Sequence, residues 1–181
     1  MCGIVGGITK QIDEKTINKM VVSLKHRGPD FGDHFFDKEN NIFLGHTRLS
    51  IIGLSEAGHQ PMKGFGSKYK NVHIVFNGEV YNYKEIKKEL EKKGYAFNSD
   101  SDTEVVLYSY IEWGVECVHK FRGMFAFAIW DYGKGKLFLF RDRFGVKPLY
   151  YYKKENTFLF TSELKSFYKY PNYKKEINKS S

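Results

Sequence analysis

Cys2 follows the initiator Met1, so removal of a single residue leaves a thiol on the chain terminus beside a free α-amine. That pairing puts a nucleophile and a base in one residue. A thiol with an ordinary pKa of ~8.5 is mostly protonated at neutral pH, and an α-amine of ~8 lies close enough to take its proton through one water. The chemistry this allows is hydrolysis in which the first residue attacks. A second-position cysteine also serves as a small buried hydrophobe, and on Met1-Cys2-Gly3 alone that structural reading stands ahead.

The elements that must position Cys2 arrive in a definite order. Ile4–Thr9 is a short apolar run and reads as a strand; Glu14–Lys25 repeats apolar residues at Ile17, Met20, Val21 and Leu24, a helical period. Short strands follow at Phe35–Phe36, Ile42–Leu44 and Leu49–Ile52, then Val72–Phe76 ending at Asn77-Gly78. Tyr83–Lys93 reads as a one-sided helix. Ser101 and Glu104 have the spacing of a capping box that opens a helix through Trp113. Phe125–Trp130, Leu137–Phe140, Leu149–Tyr152 and Phe158–Phe160 close the chain as strands. Helices between two sets of antiparallel strands predict an α+β fold, a four-layer αββα sandwich of two mainly antiparallel sheets, and the near-continuous apolar run Met124–Trp130 predicts a strand buried on both faces.

Composition bounds the rest. At 181 residues and 41% hydrophobic, one globular domain with a substantial core is expected. The two cysteines, Cys2 and Cys117, make no disulfide framework and no zinc spacing; Cys117 reads as core, and the six histidines show no paired metal spacing. No basic, apolar leader and no apolar run near ~20 residues is seen, so neither secretion nor a membrane span is indicated and a cytoplasmic, reducing setting is expected. The net charge of +8 comes mainly from lysines interleaved with glutamates along Lys84–Lys93 and from the tail, which suits solvated surface rather than nucleic-acid binding.

Several segments carry a resemblance. Cys2-Gly3-Ile4, His26-Arg27-Gly28-Pro29-Asp30, Gly45-His46-Thr47-Arg48-Leu49-Ser50-Ile51, Phe76-Asn77-Gly78-Glu79-Val80-Tyr81-Asn82 and Ser101-Asp102-Thr103-Glu104 resemble the class II glutamine amidotransferase domain, an N-terminal-nucleophile hydrolase fold. Arg122–Phe127 and Arg141–Tyr150 narrow the resemblance to the glutamine-hydrolysing asparagine synthetases. It covers residues 1 to about 167, with 168–181 read as a Lys-rich tail that begins a linker.

The resemblance implies that the Cys2 thiolate attacks the side-chain amide of L-glutamine, giving a thioester and ammonia, with Asn77 and Gly78 donating hydrogen bonds to the oxyanion. Without Cys2, Asn-Gly between apolar runs reads as a hairpin turn; in context the catalytic reading stands ahead, and a tight turn could also present those donors. It further implies that Arg48 clamps the α-carboxylate beside the backbone of Leu49, Ser50, Ile51 and Ile52, while Glu79 and Asp102 meet the α-ammonium. Arg48 as a surface salt bridge and Asp102 as a helix cap are the bland alternatives. Arg27 is balanced between closing over substrate and a simple Gly-Pro turn, and Arg141–Lys147 reads as a structural or domain-contact loop.

The same resemblance implies a synthetase domain or subunit that receives the ammonia and makes asparagine with ATP and Mg. Its Ser-Gly-Gly-x-Asp-Ser pyrophosphate loop is not in this sequence, so no cofactor is expected in the present domain. Delivery of ammonia to another acceptor such as a sugar, and a non-catalytic binding module, remain open, as does a homodimer.

Overall fold

The computed structural model describes residues 1–50, 55–64 and 71–175. Strand β1 (Gly3–Ile8) lies at the centre of a five-stranded sheet in the order β2-β3-β1-β9-β8, formed with β2 (Phe31–Asp37), β3 (Ile42–Arg48), β8 (Tyr150–Lys154) and β9 (Thr157–Thr161). The second sheet runs β4-β5-β6-β7, from β4 (Met62–Lys63), β5 (Val72–Val80), β6 (Gly123–Asp131) and β7 (Lys136–Arg141). Every pairing in both is antiparallel.

Three apolar clusters glue four layers. Helix α1 (Glu14–Val22) packs Ile17, Met20 and Val21, with Leu24 beyond it, on Val5, Phe43 and Leu159 of the first sheet. Ile4, Ile42 and Leu44 meet Val75, Ala126, Ala128 and Trp130 between the sheets. Helices α2 (Tyr83–Lys92) and α3 (Asp102–Trp113) cover the far face, where Val105, Val106 and Tyr108 share a cluster with Ile74, Phe76, Phe127 and Ile129. This is the αββα sandwich predicted. Alternation along β6 sends Phe125, Phe127 and Ile129 to the helices and Ala126, Ala128 and Trp130 to the other sheet, as its apolar run foretold. Among the described residues no helix is long and apolar enough to cross a membrane.

Three local departures from the sequence reading have physical causes. The first helix ends at Val22 rather than Lys25, because the Ser23 hydroxyl donates to Met20 O at 2.6 Å and the chain tightens into successive three-residue turns. Asn77-Gly78 is not a hairpin turn. It lies inside β5, which pairs along its full length with β6 from Val72 opposite Asp131 to Val80 opposite Gly123, so sheet pairing overrides turn propensity. The strand expected at Leu49–Ile52 does not begin at Leu49 or Ser50: β3 stops at Arg48, Leu49 N–H turns to the Cys2 sulfur and Ser50 N–H to Asp30 Oδ2 at 2.7 Å, while Ile51 and Ile52 lie outside the described residues. Past residue 167 the chain stays packed to Tyr170, which is buried against the first sheet with its hydroxyl near Thr9.

At α3 the cap is Ser101, whose side chain accepts from Thr103 N–H at 3.2 Å, but Glu104 reaches further back than a capping box requires. Its fully buried carboxylate accepts from Asn98 N–H and from both the N–H and the hydroxyl of Ser99. That ties the 97–101 loop to the helix start and so fixes where Asp102 emerges. Glu104→Ala strands the buried N–H and hydroxyl of Ser99; equilibrium denaturation is expected to show a loss of about 3 kcal/mol, and a change below 1 kcal/mol would remove this tie from the account.

Candidate active site

Beyond the two residues of β4, one edge of β5 has no neighbouring strand among the described residues, and side chains satisfy its backbone groups. Phe76 N–H donates to Gln60 Oε1 at 2.6 Å and Phe76 O accepts from His46 Nε2 at 3.2 Å. Val80 N–H donates to Asp102 Oδ2 at 3.0 Å. Strand alternation puts the Gly78 N–H on the same edge, between these two anchored residues, and it has no protein acceptor among the described residues. Glycine is required there by close approach on the other side: a Cβ would lie 2.3 Å from Met124 O and 2.6 Å from Phe125 Cα.

The neighbouring side chain is open as well. Asn77 is 1% exposed, and its Nδ2 has no hydrogen-bond partner. A buried amide left without an acceptor costs roughly 1–3 kcal/mol, so such groups are rare unless a ligand completes them. Both donors line a cavity of about 170 Å³ that also holds Cys2, Arg48, Leu49, Glu79 and Asp102.

Cys2 enters this cavity from the start of β1. Its Sγ accepts from Leu49 N–H at 3.5 Å and lies 3.7 Å from Leu49 O. Burial pushes the thiol pKa up, while the Leu49 N–H, the chain-terminal amine and the Arg48 guanidinium pull it down without cancelling the rise. The thiol therefore needs a base beside it. Arg48 is buried, not a surface ion-pairing residue, and donates from Nη1 to Ser55 O at 3.0 Å. Asp102 opens α3, where the helix N-terminus favours a negative charge. Desolvation nevertheless raises its pKa to about 6, with the Glu79 carboxylate adding to the rise. His46 is fully buried and burial lowers its pKa to about 3, so it stands neutral and donates from Nε2 to Phe76 O.

The structure thus gathers Cys2, Arg48, Leu49, Asn77, Gly78, Glu79 and Asp102 around one cavity. Ser50 does not line it, and Ile51 and Ile52 lie outside the described residues. Arg27 does not line it either: its Nε donates to Cys2 O at 2.9 Å and its Nη1 to Glu163 at 2.9 Å. Sequence reasoning passed over Gln60, His46 and Lys147. Lys147 lines the cavity with its Nζ 3.3 Å from Met1 Sδ, and it is carried there by the 141–147 loop. In that loop the Asp142 carboxylate accepts N–H groups from Phe125, Phe144, Val146 and Lys147. The motif Arg141–Lys147 was the available signal, but only the loop's cage around Asp142 shows that its last residue turns inward. Among the described residues no group of three or more His, Cys, Asp or Glu side chains is placed to hold a metal ion.

The two thiols stand in contrast. Cys117 is fully buried in the helix-side cluster, and burial pushes its pKa up to about 12. Iodoacetamide on the native protein at neutral pH is expected to modify Cys2 and leave Cys117 intact, as read by peptide mass; equal labelling would contradict the cavity described here.

The chain is 41% identical over 186 residues to asparagine synthetase [glutamine-hydrolyzing] 3 of Bacillus subtilis, covering 99% of this chain and 29% of that protein. It is 45% identical over 196 residues to the putative asparagine synthetase [glutamine-hydrolyzing] 2 of Methanocaldococcus jannaschii, covering 99% and 38%. The chain therefore spans about a third of the length of these relatives. Among solved structures, the glutamine phosphoribosylpyrophosphate amidotransferase of B. subtilis superposes with a TM-score of 0.74 at 20% identity, over 92% of this chain and 43% of that one, a likeness of fold. Residues 1–181 match the glutamine amidotransferase domain family throughout, and the chain belongs to that family.

Proposed function

We propose that this chain is a glutaminase module that hydrolyses L-glutamine to glutamate and ammonia through Cys2. The observation that carries the reading is the meeting, in one cavity, of the Cys2 sulfur with two unpaired donors, Asn77 Nδ2 and Gly78 N–H. Removal of Met1 frees the α-amine of Cys2, which takes the thiol proton through one water. The thiolate attacks the side-chain carbonyl carbon, and the charge that develops on its oxygen is met by Asn77 and Gly78. The amine returns its proton to the departing nitrogen, ammonia leaves, and a water activated by the same amine hydrolyses the thioester. Arg48 orients the α-carboxylate, and Asp102 with Glu79 orients the α-ammonium.

The partner follows from the relatives. At 41–45% identity they are named glutamine-hydrolysing asparagine synthetases, which supports ammonia passing to a synthetase domain or subunit that converts aspartate to asparagine. ATP and Mg belong to that part. A cytoplasmic, reducing setting suits a domain whose two cysteines are both free thiols.

Three outcomes test the reading. Protein verified by mass to lack Met1 is expected to release glutamate from glutamine, and Cys2→Ala to abolish that release; a processed protein without turnover would refute the proposal. Asn77→Ala is expected to lower kcat by about 10²–10³ with KM little changed, and a purely KM effect would assign Asn77 to ground-state binding. Asp102 adds a pH test: its carboxylate is charged above about 6 and neutral below, and only the charged form pairs with an ammonium. KM for glutamine should rise as pH falls through that value, while Asp102→Asn should hold KM high at every pH. A wild-type KM flat between pH 5 and 8 would exclude Asp102 from substrate recognition.

A further inference from the structure

Ser162-Glu163, directly after β9, has no part in the chemistry above, yet it grips the nucleophile's segment from both sides. Ser162 N–H donates to Ile4 O at 2.8 Å, and Ser162 Oγ accepts from Ile4 N–H at 3.0 Å. On Glu163, Oε1 accepts from Arg27 Nη1 at 2.9 Å and lies 3.0 Å from His26 Nε2; Oε2 lies 3.3 Å from Lys165 Nζ. The Arg27 side chain is 8% exposed, and its Nε donates to Cys2 O at 2.9 Å. A guanidinium is flat and rigid, so holding one end on a carboxylate fixes the direction of the other.

We infer that Glu163 is a positioning residue for the nucleophile: through Arg27 it sets the Cys2 peptide so that the sulfur faces Asn77 and Gly78. This rests on the glutaminase reading. The contacts differ in what they can contribute. Lys165 and His26 are half-exposed partners of the same carboxylate and do not touch Cys2, whereas Arg27 is buried and does. Glutamine keeps a carbonyl oxygen that can accept from Arg27, so a variant that loses only the carboxylate charge is expected to stay folded. Loss of the charge weakens one of the two anchors of Arg27, and the Cys2 carbonyl then follows a more mobile partner.

The test compares the 181-residue chain lacking Met1 with Glu163→Gln, Glu163→Asp and Lys165→Met. Thermal unfolding is followed alongside glutamine kinetics and the iodoacetamide modification rate of Cys2. Glu163→Gln is expected to lower kcat about tenfold to hundredfold with KM within about twofold, since small displacements of a reacting group cost that much. It should also slow Cys2 modification at neutral pH about fivefold, because a displaced thiol loses its proton to the α-amine less readily. Glu163→Asp should recover part of both, and Lys165→Met should leave both within about twofold. Glu163→Gln within twofold of wild type in both readouts, a change in KM alone, or an equal loss in Lys165→Met would overturn the inference. If the wild-type chain fails to turn over glutamine, the functional proposal falls, and the modification rates still decide the role of Glu163.

Discussion

The constraint on which the site depends is the unpaired edge of β5. Empty N–H and C=O groups on a strand edge inside a protein are costly, and here, among the described residues, β4 covers only two residues of the edge. Buried side chains take over: Gln60 and His46 satisfy the N–H and the C=O of Phe76 on that edge, and Asp102 holds Val80. Between those anchors the Gly78 N–H is fixed in direction and left open. Its neighbour Asn77 presents a second open donor on the face toward the other sheet. Donors held in this way are preorganised, because nothing has to reorient when negative charge develops before them.

The other sheet delivers the sulfur. β1 is central, bonded to β3 on one side and β9 on the other, so the residue before it inherits a defined position. Leu49 N–H meets the Cys2 sulfur where β3 ends, and Arg27 holds the Cys2 carbonyl. The inter-sheet cluster of Ile4, Leu44, Val75, Ala126 and Ala128 sets the separation across which sulfur and donors face each other. Small alanines on β6 let the layers approach, and fully burying each large aliphatic partner contributes about 1.5–3 kcal/mol. Packing thus sets the geometry that the chemistry uses.

Much of this was legible in the sequence, for reasons that also explain what was not. Hydrophobic period revealed α1, the two-faced burial of β6 and the order of strands, because these elements answer to burial alone. Position in the chain pointed to Cys2, and the family resemblance implied Arg48, Asn77, Gly78, Glu79 and Asp102, which the fold brings to one cavity with it. Asn77-Gly78 taken locally reads as a turn, and only pairing with a strand about fifty residues later shows that it is not. His46, Gln60 and Lys147 escaped because each acts through a partner distant in sequence: His46 through Phe76, Gln60 through Phe76 and Thr103, Lys147 through Met1. No local pattern encodes such a contact.

The central claim is that the open donors of β5 receive the oxyanion formed when the Cys2 sulfur attacks. A crystal structure of the chain lacking Met1, reacted with a glutamine-like electrophile, measures this directly. The account predicts a covalent bond from Cys2 Sγ and an oxygen of the adduct within hydrogen-bonding distance of both Asn77 Nδ2 and Gly78 N. An adduct on Cys2 whose oxygen points away from both groups, or no adduct at Cys2, would contradict it.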